Sequence, residues 1–147
     1  MPKIQQRLYL DTNVYNRPFD EQEQPRIWLE TLAFAVILQM VEVESVILVR
    51  SSVLDYENSR NPSRARRRWV ARCLDSAGFY QPVNQDIRRR AEALEKAGVR
   101  ALDALHVTCA EAAESDFFLT CDDRLINRYE GELTVVNPVD FVLSEGG

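Results

Sequence analysis

Three carboxylates in this 147-residue chain fall past the ends of short apolar runs, and a fourth stands early in a helical stretch. Asp11 follows Leu8-Tyr9-Leu10, Glu57 lies one to two helical turns past Val46-Ile47-Leu48-Val49, and Asp122 is three residues past Phe117-Phe118-Leu119. Asp103 stands among Leu102, Ala104 and Leu105. In an open, mostly parallel sheet, residues just beyond the carboxyl ends of the strands meet in space however distant they are in sequence. Acids gathered in this way repel one another and lose hydration, which is costly unless a cation compensates. Mg²⁺ and Mn²⁺ suit such a cluster, because they take hard oxygen ligands, keep several waters and are held by a few carboxylates together with substrate phosphate oxygens. Phosphodiester hydrolysis is the natural reaction there. In a two-metal arrangement one ion activates water and the other stabilises the leaving oxygen, so no protein nucleophile is needed.

Each acid taken singly has a plainer reading: Asp11 as a turn former in Asp11-Thr12-Asn13, Glu57 as a helix-surface acid, Asp103 as a helix N-terminal residue and Asp122 as a cap. Their joint placement favours a site. Asp55 and Glu57 are two positions apart, about 200° around a helix, so only one can face it. Glu57, one turn after Val53, is taken as that one. Asp122 and Asp123 compete for the fourth place, with Asp122 preferred and the choice left open. His106, the only histidine, is read as a packing residue in preference to a general base. Cys121 is read as a small apolar filler. Arg17, in Asn16-Arg17-Pro18-Phe19-Asp20, reads as an exposed arginine in a turn rather than a contact to a scissile phosphate.

The elements that must position these side chains alternate between short β-rich runs and longer helical stretches, the pattern of an α/β fold. Strands are expected at 8–10, 46–49, 79–83, 117–119 and 133–136. Pro25 opens a helix through Val41 with enough apolar residues to be buried on most faces. Ser51 or Ser52 caps a short helix through Arg60, Ser63 caps an arginine-rich helix up to Gly78, and Asn84 caps one that Gly98 terminates. Helices are also expected over 101–114 and 122–129. No repeat or linker interrupts the pattern, so one domain is expected over 1–147. At this length a core needs neither disulfide nor structural metal. Cys73, Cys109 and Cys121 are odd in number and lack C-x-x-C spacing, which fits reduced thiols in a cytoplasm. No export signal is apparent before Asp11, and the apolar stretch 27–41 is too short to span a bilayer, so no membrane association is expected.

A net charge of −5 argues against nucleic acid, but its distribution qualifies that. Of the 18 basic residues only Lys3 and Lys96 are lysines, and Arg60, Arg64, Arg66, Arg67, Arg68 and Arg72 occupy a stretch without any acid. Such segregation makes either a local anion-binding face or a solvated helix surface.

The stretches Leu8-Tyr9-Leu10-Asp11-Thr12-Asn13, Glu57 after Ser52, Leu102-Asp103-Ala104-Leu105-His106 and Phe118-Leu119-Thr120-Cys121-Asp122 resemble, in order and spacing, the PIN-domain nucleases. The resemblance covers nearly the whole chain. It implies a three-layer α/β/α sandwich with a central, mostly parallel sheet, and an acidic pocket that binds Mg²⁺ or Mn²⁺ and hydrolyses RNA. Asp11, Glu57, Asp103 and Asp122 match the family's acidic quartet, with Asp11 and Asp103 as principal metal ligands and Glu57 and Asp122 completing the site directly or through water. Asn13 and Thr120 match polar positions that support the acids or bound water. Small members resemble VapC-type toxins, endoribonucleases silenced by a neighbouring antitoxin, which admits a cognate antitoxin and a homodimer as partners. Arg60, Arg64, Arg67 and Arg68 are then candidate contacts to the RNA backbone. A second reading is a non-catalytic PIN-like module that binds RNA or protein; the intact quartet speaks against it. An aspartyl-nucleophile phosphatase would want an acid two residues after Asp11, where Asn13 stands, and a receiver domain would pair acids after the first strand.

Overall fold

A computed structural model describes residues 5–145. Five strands carry the apolar runs: β1 (Gln6–Leu10), β2 (Val46–Ser51), β3 (Phe79–Gln81), β4 (Phe117–Leu119) and β5 (Thr134–Val136). They form one sheet in the order β3-β2-β1-β4-β5, with every neighbouring pair parallel. Tyr9 is in register with Val49 on one side and Phe118 on the other, and Leu8 with Leu48 and Phe117. Successive side chains face opposite sides of a strand. Tyr9 and Phe118 accordingly stack on one face with ring centroids 5.1 Å apart.

The chain steps from β1 through β2 to β3 in one direction and from β3 through β4 to β5 in the other, so right-handed crossovers place their helices on opposite faces. One layer holds α2 (Pro25–Glu42), α4 (Arg64–Leu74) and α8 (Pro138–Glu145); Phe34 of α2 meets Trp69 of α4 edge-on, α8 packs on α2, and Phe141 of α8 meets Phe117 of β4. The other holds the packed pair α5 (Gln85–Lys96) and α6 (Ala101–Ala112). The protein is a three-layer α/β/α sandwich. Short helices α1 (Thr12–Asn16), α3 (Ser52–Ser59) and α7 (Asp123–Arg128) begin shortly after β1, β2 and β4 and gather at the carboxyl edge of the sheet. The direction reversal falls between β1 and β4, which is where an open α/β sheet leaves its crevice.

The caps follow the sequence: the side chains of Ser51, Ser63 and Asn84 accept from Leu54, Arg66 and Ile87 backbone N–H groups at the starts of α3, α4 and α5. Gly98, with φ +103°, stands just after α5 in the left-handed region that a glycine tolerates. Several boundaries differ. The strand expected at 79–83 ends at Gln81, before Pro82, which has no N–H for the ladder. The arginine-rich helix ends at Leu74 because Ser76 and Ala77 turn back onto the carbonyls of Cys73 and Leu74. The helix expected to reach 114 stops at Ala112, and Glu114 turns left-handed at φ 54°. Helices α1 and α8 and the 3-10 turn at Arg17–Phe19 were not anticipated.

The helix opened by Pro25 is not buried on most faces. It buries Glu30, Ala33, Phe34 and Ile37, while Trp28, Leu29, Leu32 and Val36 stay 45–51% exposed. Cys73, Cys109 and Cys121 are buried and unpaired, and burial pushes their thiols up to about 11, 12 and 12. Among the described residues, no helix is long and apolar enough to cross a membrane.

Candidate metal centre

Asp11 both ends β1 and starts α1. Its backbone N–H donates to the Leu119 carbonyl at 2.9 Å, continuing the sheet, and its Oδ1 accepts from the Thr12 N–H at 2.8 Å, capping the helix. Its Oδ2 accepts from Thr120 Oγ1 at 2.8 Å and from Asn13 Nδ2 at 3.3 Å. Thr120 Oγ1 in turn accepts from Asn13 Nδ2 and from the Asp122 N–H, both at 3.1 Å, and Asn13 Oδ1 accepts from the Cys121 N–H at 3.1 Å. Asn13 and Thr120 thus lash the ends of β1 and β4 together around one carboxylate. That carboxylate is 5% exposed, and its direct donors are neutral. Burial raises its pKa above the ordinary range, against the opposing charge of His106 and the Thr120 hydrogen bond.

Glu57 comes from α3, whose buried Val53, Leu54 and Asn58 seat it against the core. Asp55, two positions earlier, is turned away and paired with Arg50 at 2.8 Å. Glu57 Oε1 receives two donors, Thr12 Oγ1 and His106 Nε2, the latter at 2.7 Å. An ionised carboxylate only accepts, so the Nε2 of His106 carries a proton. Its Nδ1 meets the Tyr9 hydroxyl at 2.7 Å, and that hydroxyl meets Ser51 Oγ at 2.6 Å. Burial works against both ions of the pair, and their mutual attraction outweighs it: Glu57 is held below its ordinary pKa with help from Thr12, and His106 above its own with help from Asp11 and Asp103. His106, read from the sequence as packing, is indeed 1% exposed, but both of its nitrogens are engaged within the site. Thr12, Tyr9 and Ser51 had no site role in the sequence pattern. Among them only Ser51, as a cap, carried a signal.

Asp11, Glu57 and His106 each offer one ligand atom within 4.8 Å of the others. Asp103 is not in that group. It sits on the first turn of α6, its carboxyl pushed up to about 6 by burial and then by the charges of Asp11 and Asp122. It shares a small cleft with Asp122. The neighbours at the fourth position have separate surroundings: Asp122 caps α7 through the Arg124 N–H at 2.9 Å, while Asp123 is gripped by Arg26 at 2.7 and 2.8 Å. Oxygen-rich donors, two of them carboxyls held above their ordinary pKa, form a set that a divalent cation would satisfy, with His106 committed to Glu57 and Tyr9.

Arg17 is neither an exposed turn residue nor free to meet a phosphate. It is bound to Asp20 and to buried Glu30 at 2.8 and 2.9 Å. In the arginine-rich segment, Arg60, Arg64 and Arg68 are exposed and form no ion pair among the described residues, whereas Arg67 spends one guanidinium nitrogen on the Asn61 carbonyl at 2.7 Å. Arg66 lies against Asp20 and over the Phe19 ring.

Comparison with curated proteins finds no match. The sequence does match the PIN domain over residues 8–131, a span that takes in all four candidate acids and every element from α1 through α7. The chain belongs to the PIN domain family.

Proposed function

We propose that the chain is a metal-dependent endoribonuclease that hydrolyses RNA phosphodiester bonds, with Asp11, Glu57, Asp103 and Asp122 as its acidic quartet. PIN domains are generally metal-dependent nucleases. The observation that carries the reading is Asp11: a buried carboxylate at the crevice of the sheet with no cationic hydrogen-bond partner, beside Asp103, whose carboxyl its charge helps push up to about 6. A structural acid in that position would be neutralised by a cation, whereas one kept for a metal ion is left open.

Asp11 and Asp103 would hold Mg²⁺ or Mn²⁺ as principal ligands, with Glu57 and Asp122 reaching it directly or through water. Bound there, the cation supplies Lewis-acid polarisation of the phosphate and an activated water. Asn13 and Thr120 fix the Asp11 carboxylate by hydrogen bonds. Thr12 and His106 hold one oxygen of Glu57, leaving its second oxygen for a ligand or water. Arg60, Arg64, Arg67 and Arg68 offer charge to the RNA backbone on the β2 side. The finer assignment, supported by the resemblance, is a VapC-like toxin of the cytoplasm, silenced by a cognate antitoxin and acting as a homodimer.

The test is cleavage of RNA by purified protein in Mn²⁺ or Mg²⁺. Cutting should cease in EDTA and in Asp11→Asn or Asp103→Asn variants that retain native circular dichroism. Cleavage persisting through all three changes overturns the assignment. RNA binding without cutting, combined with absent Mn²⁺ binding in titration, would identify a non-catalytic PIN-like binding module instead.

A further inference from the structure

The acidic centre has a basic wall on the side away from the arginine-rich segment. Beside Asp103 and Asp122 is a cleft of about 140 Å³, walled by Arg100, Arg124 and Arg128 and by the backbone of Gly98, over the buried side chains of Val99 and Leu125. Arg100 caps α6 from the preceding loop, and Arg124 and Arg128 lie one turn apart on α7. Among the described residues these three arginines form no ion pair, whereas Arg17, Arg26, Arg50, Arg66, Arg89 and Arg90 each do. Two acids stand in the same cleft, yet no guanidinium comes within 4.0 Å of either carboxylate. Asp122 is turned to the Arg124 backbone as a cap instead.

Gly98 explains how Arg128 reaches its place. A Cβ there would come within 2.7 Å of Arg128 Nη1, so the guanidinium lies where any other residue would put a side chain. The sheet order sets the rest. Glu57 follows β2, Asp11 follows β1 and Asp122 follows β4, so the acids run across the carboxyl edge in that order. Arg60, one turn past Glu57, stands at the β2 end of the row, while Arg124 and Arg128 stand at the β4 end. A polyanion crossing the acids therefore meets positive charge on both flanks.

We infer that the Arg100, Arg124 and Arg128 cleft binds a phosphate of the RNA strand next to the one being cut, anchoring the strand on the β4 side of the metal centre. Guanidinium groups suit this ligand, since they pair with phosphate in a fork and remain charged. The inference rests on RNA being the substrate, and its own readout is binding rather than cleavage.

The probe is a fluorescein-labelled, mixed-sequence single-stranded RNA of about ten nucleotides. Its Kd is measured by anisotropy in EDTA over a series of salt concentrations, for the wild type, Arg124→Ala/Arg128→Ala, Arg124→Lys/Arg128→Lys, and a charge-matched control, Arg88→Ala/Arg89→Ala, on the exposed face of α5. Losing the pair should weaken binding about tenfold and reduce the salt slope by about 0.7 for each phosphate no longer neutralised. The lysine pair should recover part of the affinity and the control should stay near wild type. In Mn²⁺, the cost of the alanine pair should appear mainly in KM. RNA of equal length with and without a terminal phosphate separates the sources: equal loss on both identifies an internal phosphate, and loss confined to the phosphorylated strand replaces it with a terminal one. An unchanged Kd and slope in the alanine pair, a drop matched by the control, or no RNA binding by the wild type overturns the inference. A wild type that binds RNA through these arginines without cutting it overturns only the nuclease reading.

Discussion

Among the described residues two carboxylates are buried, and they are treated in opposite ways. Glu30 is 0% exposed on α2 and is surrounded by Arg17, Arg26 and Asn137. Asp11 is 5% exposed at the end of β1 and has hydroxyl, amide and backbone donors, while neighbouring His106 is bonded to Glu57 instead. Burial penalises both charges. In one case the protein supplies the counter-charge itself, locking the 3-10 turn, α2 and the segment before α8 together. In the other it supplies orientation without neutralisation, which leaves attraction for an ion from outside.

The strongest way to break this contrast is to make each acid neutral. Asp11→Asn keeps the shape and should reduce cleavage at least about a thousandfold, roughly 4 kcal/mol of barrier, while Mn²⁺ binding by calorimetry is lost. Urea midpoints of the metal-free protein should be unchanged or higher, because an uncompensated charge has gone. A clearly lower midpoint would make Asp11 a structural acid like Glu30. Glu30→Ala should do the reverse, costing about 3–5 kcal/mol of stability by stranding two arginines, with cleavage per folded molecule retained. Should the stability hold, the Arg17 and Arg26 cluster is not what secures α2.

His106 sharpens the contrast, since it steadies Glu57 without neutralising Asp11. His106→Ala should weaken Mn²⁺ binding by about 10–100-fold, and His106→Gln, which keeps a donor toward Glu57, should recover part of that. Equal loss in both variants would mean that the imidazole is needed as a ligand. Gly98→Ala should cost about 1 kcal/mol from the left-handed backbone, read as a small drop in thermal midpoint. The last test concerns pH. The Asp103 carboxyl, raised to about 6, keeps its proton in the folded protein between about pH 4 and 6, where the unfolded chain has released it. Metal-free protein should therefore lose stability as pH rises through that window, and Asp103→Asn should flatten the loss. A wild-type profile that rises across the window would contradict the crowding of Asp103 by Asp11 and Asp122.

The strands, most caps and the sandwich itself were legible because apolar runs and Ser, Asn or Gly punctuation act locally. α1 was not, since its five residues carry no periodicity and its start is signalled only by Asp11, a residue with a second use. The exposure of α2 was hidden for another reason: its apolar residues are spread round the helix, and the packing of α1, α4, α8 and the sheet together decides which face is covered. At the site, positions after strand ends pointed to Asp11, Asp122 and Glu57, because topology makes that rule general. The separation of Asp122 from Asp123 depends on Arg26, some ninety-seven positions from Asp123. The roles of Thr12, Tyr9 and His106 depend on side chains meeting across four elements, which no local pattern encodes.

Ser51 gives this architecture a mechanical consequence. The same hydroxyl receives the Leu54 N–H that begins α3 and touches the phenol that leads through His106 to Glu57. Unwinding the first turn of that helix would therefore slacken the far carboxylate by two routes at once, through its own backbone and through the ring that braces it. Whatever grip Glu57 has on a cation is thereby geared to the integrity of a single eight-residue coil.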